Sequence, residues 1–149
     1  MSVSSKEKLL AKLTHNKAYR NAYVAEHVKT SVPLQIHHIR EECDLTQAEL
    51  AEKAKTTQTV ISRLEDPNYG NLTLNSLLKI ASALDIALLV KFVPFSRLLA
   101  EFDDLSPRAF SVQSFDNERA TLQAWAAIPK KKRRSPKKNM NEADPAWAG

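Results

Sequence analysis

Glycine is scarce in this chain: of 149 residues, only Gly70 and the terminal Gly149 are glycines. Loops that cradle phosphate groups need several closely spaced glycines, because the backbone must approach the phosphate closely. One internal glycine cannot build such a loop. The sequence therefore argues against a nucleotide-binding enzyme of the phosphate-loop type, and most helices must end on other residues.

Cysteine and long apolar runs are scarce as well. The single cysteine, Cys43, excludes an intramolecular disulfide framework and suits a reducing compartment. No segment reaches the roughly 18 consecutive apolar residues of a membrane span. Residues 1–13 also lack the apolar core and the cleavage site of a secretory signal. We therefore expect a soluble chain that stays in the cytoplasm.

His37, His38 and Cys43 suggest, at first sight, a metal site or a Cys–His nucleophile. Neighbouring histidines on a helix point about 100° apart, and the spacing to Cys43 fits no tetrahedral site. Nothing nearby in the sequence supplies an oxyanion hole or a substrate pocket. We expect no metal, no cofactor and no enzymatic activity.

The formal net charge of +5 is unevenly distributed. Residues 1–129 hold 15 basic and 15 acidic side chains, and residues 31–85 alone carry a net charge of −3. Residues 129–149 are charged, contain proline and cannot build a core, so we expect a disordered basic C-terminal tail. This tail is either a non-specific tether to DNA phosphates or merely a solubilising end. Its basic residues are Lys130, Lys131, Lys132, Arg133, Arg134, Lys137 and Lys138.

Apolar residues recur at helical spacing through most of the first 85 residues, which predicts a mainly α fold. A first helix is expected around residues 9–13 and a second around residues 19–28. Pro33 suits the first turn of a third helix, which then extends to about Cys43.

Capping residues mark the starts of the next three helices. Thr46 and Glu49 form a Ser/Thr-x-x-Glu capping box, in which each side chain satisfies a free backbone amide of the other residue. Thr57 and Thr73 have the right chemistry to cap the two helices that follow. Between those two helices, DPNYGN, residues 66–71, has the composition of a loop.

The pattern changes after Asp85. Residues 86–93, IALLVKFV, are apolar and β-branched and stop at Pro94, which predicts a short strand. Because a strand needs a partner for its backbone groups, either residues 111–115, SVQSF, or the same strand of a second chain must pair with it. Short helices are expected over residues 95–102 and 116–127. The residues of the expected dimer strand are Ile86, Leu88, Val90 and Phe92.

Two helices joined by a tight turn, with the second helix polar on its outer face, fit the major groove of DNA. An ordinary solvated helix would carry Glu and Lys on that face. Here a Gln can bond adenine, an Arg can bond guanine, and a Thr can present its methyl group to thymine. We therefore expect base contacts from Gln58, Thr59, Ser62 and Arg63.

Phosphate contacts are expected at helix starts and in the loop that follows. Gln47 lies in a first helical turn, where free backbone amides favour a phosphate and the side chain can anchor it. For the loop residues, a solvated turn is an equally good interpretation. The complete set of expected phosphate contacts is Gln47, Thr46, Lys55, Thr57, Asn68, Tyr69 and Asn71.

LTQAELAEKAKTTQTVISRLE, residues 45–65, with LNSLLKIASALDI, residues 74–86, resembles the Cro/C1-type (XRE) helix-turn-helix family of phage repressors, bacterial regulators and antitoxins. The resemblance implies a five-helix, lambda-repressor-like DNA-binding domain over residues 31–86. It also implies that Gln47 clamps the DNA backbone and that the four outer residues face the groove. The family core is matched by Leu45, Leu50, Ala51, Ala54, Ile61, Leu64, Leu77 and Ile80.

Two positions depart from the family pattern, because each holds another residue where glycine is common. Lys55 stands in the turn between the two motif helices, where φ is positive, at a cost of roughly 1 kcal/mol if it is left-handed. Asp44 stands before the motif and is a milder case, because Asp tolerates that conformation.

Two flanking segments carry further resemblances. The expected strand resembles the HipB-like antitoxin branch of the family, in which such a segment pairs across the dimer. Residues 17–42 resemble a leader found in HigA-like antitoxins. We therefore divide the chain into an N-terminal helical extension (1–30), a DNA-binding domain (31–86), a dimerisation region (87–128) and the tail (129–149).

These features together predict a dimeric, sequence-specific transcriptional regulator that binds double-stranded DNA at the nucleoid and represses by excluding polymerase from a promoter. Two alternatives stay open. One is an antitoxin that also binds a toxin protein, through the N-terminal helices or the region after residue 86. The other is a protein-interaction module that does not bind DNA.

Overall fold

The computed structural model of the protein describes residues 4–102 and 106–128. Eight helices and no strand are assigned in these residues, so the predicted mainly α class is confirmed. The helices are α1 (Ser5–His15), α2 (Lys17–Glu42), α3 (Gln47–Lys53), α4 (Gln58–Leu64), α5 (Leu74–Leu84), α6 (Phe95–Phe102), α7 (Pro107–Phe110) and α8 (Phe115–Ala127).

The chain divides into two compact units, Met1–Glu118 and Arg119–Gly149. The first unit holds α1 to α7 and the start of α8. Among the described residues, the second unit holds the remainder of α8 and Ile128. The basic tail expected over residues 129–149, with its seven lysines and arginines, lies outside the described residues.

Helix α2 corrects the expected position of Pro33. The sequence predicts a helix start at this proline, but α2 continues from Lys17 to Glu42 with Pro33 inside it. An internal proline removes one backbone hydrogen bond and crowds the preceding turn. The Pro33 ring is fully buried, and Ile36 and Ile39 on the same helix belong to the core, so packing offsets the local cost. The same helix crosses the domain boundary expected after residue 30.

The core of the first unit joins the C-terminal half of α2 to α3, α4 and α5. All eight core positions implied by the family resemblance lie in this cluster or pack against it, which confirms them. Its buried members are Ile36, Ile39, Leu50, Ala51, Ala54, Ile61, Leu64, Ile80 and Leu84. Four helical segments, rather than five, lie within residues 31–86.

The three predicted caps are confirmed. Thr46 and Glu49 form the capping box of α3, with the Thr46 hydroxyl also donating to the Glu49 carboxylate at 2.7 Å. The side chains of Thr57 and Thr73 accept backbone hydrogen bonds at the starts of α4 and α5. These contacts set the starts of α3, α4 and α5.

Residues 86–93 form no strand in the described chain. Residues 87–93 make no backbone hydrogen bond to another described residue, and residues 111–115 form one backbone bond near this region, from the Phe115 amide to the Asp85 carbonyl at 2.9 Å. One bond at the edge cannot build a ladder. The expected pairing with residues 111–115 is therefore wrong, and pairing between two chains stays a prediction.

The remaining helices lie beyond the motif. α6 covers the expected residues, α8 begins one residue earlier than expected, and the short α7 was not predicted. Both α1 and α7 pack against α2. None of the described helices combines the length and the apolar character needed to cross a membrane.

Candidate nucleic-acid interface

The turn between α3 and α4 is tight and left-handed at one residue. α3 ends at its C-cap Ala54, and Lys55 follows with φ +52°. The Thr56 amide then donates to the Ala51 carbonyl at 2.9 Å, which closes the turn. Thr57 caps α4 by accepting from the Val60 amide. The expectation that Lys55 occupies the family's positive-φ position is confirmed, and Asp44 likewise has φ +54°.

Helix α4 divides into a buried face and an exposed face. Ile61 and Leu64 lie in the core, so packing of the buried face holds the helix in place. Gln58, Thr59, Ser62 and Arg63 are all exposed, as the sequence predicts. Among the described residues, none of the four side chains makes a hydrogen bond or an ion pair with another residue. The hydrogen-bonding groups of this face are therefore available to a ligand.

A buried ion pair fixes the C-terminal end of α4. Glu65 is the C-cap of this helix, and only 4% of its side chain is exposed. The Arg40 guanidinium of α2 donates through Nε to Glu65 Oε1 at 2.6 Å and through Nη2 to Oε2 at 3.0 Å. Arg40 Nη1 also donates to the Leu45 carbonyl at 2.7 Å. A bidentate pair of this kind sets the orientation of α4 relative to α2.

Two further side chains surround the Glu65 carboxylate. His37 Nδ1 lies 3.0 Å from Glu65 Oε2, and the Gln47 side-chain amide donates to the same oxygen at 3.1 Å. Burial raises the pKa of Glu65, but the hydrogen bonds that it accepts and the charge of Arg40 outweigh this effect. The net pKa of Glu65 lies below the ordinary value, and the pKa of Arg40 is raised by its hydrogen bond to Glu65.

The structure links Gln47 to the C-terminal end of α4. Gln47 lies in the first turn of α3, as expected, but its amide nitrogen is bonded to Glu65. A phosphate contact through this nitrogen requires Gln47 to leave Glu65, so the clamping role stays a prediction. Thr46 is committed to the cap of α3, while Lys55 and Thr57 are exposed at the turn.

The loop between α4 and α5 is organised by its own side chains. The Asp66 carboxylate accepts from the backbone amide of Asn68 at 2.9 Å and from its side-chain amide at 3.1 Å. The ring of Tyr69 lies under the guanidinium of Arg63, 5.6 Å from its carbon to the ring centroid. Asn71 is exposed. The solvated-turn interpretation thus fits Asn68, whereas Tyr69 contacts an expected base-reading residue.

Sequence reasoning missed the Arg40–Glu65 pair and the Arg63–Tyr69 contact. Arg40 and Glu65 are 25 residues apart, and no local spacing rule connects them. The one available signal was the position of Arg40 next to the inward Ile39, since a basic residue at a core edge needs a buried partner. Arg63 and Tyr69 face each other across a helix end, where helical spacing no longer applies.

In the part of the chain that the structure describes, no group of three or more His, Cys, Asp or Glu residues is arranged to hold a metal ion. Cys43 is a free, exposed cysteine at the C-cap of α2.

Comparisons with known proteins agree with this geometry. Residues 36–90 match a family model described as helix-turn-helix, and this match includes α3, the left-handed turn, α4 and α5. No curated protein and no solved structure gave a significant match. Residues 36–90 are thus a helix-turn-helix domain of the Cro/C1 (XRE) type, the module of a class of DNA-binding regulators.

Proposed function

We propose that this protein is a sequence-specific transcriptional regulator that reads the major groove with α4. The observation that carries the proposal is the outer face of this helix, where Gln58, Thr59, Ser62 and Arg63 are exposed and make no hydrogen bond to another described residue. The helix beneath them is held by the core and by Glu65. A rigid element with uncommitted polar groups suits base reading, because the groups need little reorganisation on binding.

The contacts have separate roles. Gln58 and Thr59 open the helix and reach base edges most easily, while Ser62 and Arg63 follow one turn later. Each good bidentate contact discriminates by about 1 to 3 kcal/mol. Phosphate contacts from Lys55, Thr57, Asn71 and, after release from Glu65, Gln47 place the domain on the duplex without reading sequence.

The net charge of the domain indicates that other groups must contribute to its affinity for DNA. Residues 31–85 carry a net charge of −3, whereas DNA-binding surfaces normally have a positive footprint. A second protomer doubles the contacts over two half-sites, and the seven basic residues of the tail add affinity for any sequence. We therefore propose a dimeric repressor that acts at the nucleoid.

The dimer is proposed to form through residues 86–93. Phe92 is fully exposed and Leu89 is 74% exposed, which is a large apolar surface for an isolated chain. Antiparallel pairing centred on Leu89 places Ile86 opposite the partner's Phe92. This register keeps Ile86, Leu88, Val90 and Phe92 on one face of the ribbon, whereas an offset of one residue would place Lys91 opposite Leu88 on that face.

Cross-linking tests the register. In a Cys43→Ser background, Leu89→Cys should form a disulfide-linked dimer, because directly opposed strand residues lie within disulfide range. Ala87→Cys is the matched control, since residue 87 lies opposite residue 91 and should not cross-link to its own copy. Equal cross-linking of both variants, or of neither, would contradict the register.

Base reading is tested by selection from a randomised duplex library, followed by titration of variants. Arg63→Ala should flatten the preference at one base pair in each half-site, and Gln58→Ala at a different one. Glu52→Ala, an exposed change on α3 outside the reading face, is the control and should leave both preferences intact. Preferences unchanged in all three variants would rule out reading by α4.

A second candidate function, an antitoxin of the HipB-like or HigA-like branch, is favoured by one observation. The N-terminal helices and α6, which were separate candidates for toxin binding, meet in the structure. The His27 ring stacks on Phe102 with centroids 3.6 Å apart and is contacted edgewise by Tyr23. Burial lowers the pKa of His27 against the opposing effect of Glu26.

Helices α1, α2 and α6 border an apolar groove of 310 Å³, which is lined in part by Leu9, Leu10 and Leu99. Co-expression with the product of the adjacent gene tests the antitoxin function. The two proteins should co-purify, and Leu10→Glu should abolish this while DNA binding persists. Co-purification without any DNA binding would instead indicate a protein-interaction module.

A further inference from the structure

Arg63 has an aromatic partner in the described chain and no acidic one. It lies in the last turn of α4, with its guanidinium carbon 5.6 Å from the centroid of the Tyr69 ring. This separation is within the range of a cation–π contact. Arg63 makes no ion pair with any described carboxylate, although Asp66 follows it by only three residues.

Local hydrogen bonds and a glycine shape the backbone around Tyr69. The Tyr69 amide donates to the Asp66 carbonyl at 3.1 Å, and the Asp66 carboxylate bonds Asn68. Gly70 follows with φ +68°, a conformation that other residues adopt only at a cost. The turn therefore defines the backbone conformation on both sides of Tyr69.

An aromatic partner restrains an arginine differently from a carboxylate. The ring occupies the flat face of the guanidinium, whereas the N–H donors point outward along its edge. A carboxylate would occupy those same donors and compete with guanine O6 and N7. Tyr69 therefore limits the rotamers of Arg63 and leaves its full fork available for a bidentate contact.

We propose that Tyr69 is a specificity-determining positioning residue, which presets Arg63 to read one base pair. The inference rests on the proposed DNA-reading function, and it replaces the phosphate contact expected for Tyr69 with a contact to Arg63. At an exposed site, a cation–π contact corresponds to about a two- to five-fold effect on selectivity.

A double-mutant cycle on the full chain tests the inference. Affinities of the wild type, Tyr69→Ala, Arg63→Ala and the double variant are measured for the selected duplex and for the duplex changed at the pair that Arg63 reads. Tyr69→Ala should lower the discrimination between these duplexes about two- to five-fold, and it should have no such effect when Arg63 is already Ala.

Tyr69→Phe separates the ring from the hydroxyl. Because the ring is kept, Phe should retain discrimination, whereas loss of a phosphate contact by the hydroxyl would weaken all sequences alike. Thermal melting of Tyr69→Ala reports folding separately. Unchanged discrimination in a folded Tyr69→Ala, or a loss that persists in the Arg63→Ala background, would overturn the inference. If the wild type shows no base preference, the proposed function itself fails.

Discussion

Lys55 has a left-handed backbone between the two motif helices, with φ +52°. Its Cβ opposes this conformation, and glycine would relieve the strain. We expect Lys55→Gly to raise the free energy of unfolding by up to about 1 kcal/mol, reduced by the greater entropy of the unfolded glycine chain. Urea unfolding measures the change.

Lys53→Gly is the matched control for this substitution, because it exchanges the same residue types at a helical position. It should lower the free energy of unfolding by up to about 1 kcal/mol. A loss of stability in both variants would contradict strain at Lys55.

Glu65 gives the fold a predictable acid sensitivity. Its pKa lies below the ordinary value in the folded state. Between the folded and unfolded pKa values the unfolded chain therefore binds more protons, and stability rises with pH. The contribution is complete above the unfolded pKa and is lost as the pH falls through the lower, folded pKa. We expect Glu65→Gln to make the dependence of unfolding free energy on pH shallower.

Urea unfolding across a pH series measures this slope. Glu52→Gln removes the same charge from an exposed position of α3, and its slope should stay close to that of the wild type. Equal slopes for Glu65→Gln and the wild type would show that the network contributes nothing to acid stability.

Single residues show clearly what sequence can and cannot reveal. The positive φ of Lys55 was predictable, because a family resemblance aligns it with a glycine. The partner of Arg40 was not predictable, because Glu65 reaches it only after the helices have packed. The partner of Tyr69 was not predictable either, because Arg63 faces it across a helix end, where helical spacing no longer applies. The free outer face of α4 was predictable, but its attachment to α2 through Glu65 was not.

At the scale of elements, the caps were the most reliable signals, because each is a local hydrogen bond. Thr57 accepts from the Val60 amide at the start of α4. We expect Thr57→Ala to lower the free energy of unfolding by about 1 kcal/mol. Thr59→Ala, two residues later on the exposed face, should change stability little while altering base preference.

Chemical unfolding and DNA titration of both variants test this separation. A comparable loss of stability in Thr59→Ala would mean that the outer face of α4 has a structural role rather than a reading role.

Two elements escaped sequence reasoning for opposite physical reasons. Pro33 is a local signal for a helix start, but the burial of its ring within a continuous α2 overrides that preference. Residues 86–93 have strand composition, but a strand exists only with a neighbour, and residues 111–115 supply a single bond to Asp85. Composition cannot say whether a second chain completes the pairing.

At the scale of the whole molecule, the residues proposed to read bases and the basic residues proposed to attract DNA phosphates lie in different parts of the chain. The domain proposed to read DNA carries a net negative charge, whereas the excess positive charge lies in the tail. Neutralising Lys130, Lys131 and Lys132 with glutamine should lower affinity about equally for all sequences. The slope of log affinity against log salt should fall by up to about 2.7 if all three contact phosphates.

The matched control replaces Lys8, Lys12 and Lys17 with glutamine, which removes the same charge from the N-terminal helices. Its salt slope should stay unchanged. If the tail variant also keeps the wild-type slope, the tail is a solubilising end and the second protomer must supply the attraction.

The most direct measurement of the central claim is the ratio of affinities of the full-length protein for its selected duplex and for a shuffled duplex, both at 150 mM salt. Sequence-specific regulators bind specific sites about 10³-fold or more tightly than non-specific DNA under such conditions. We predict a ratio of this size, with a selected site of two-fold symmetry. A ratio near one would show that α4 does not read DNA sequence.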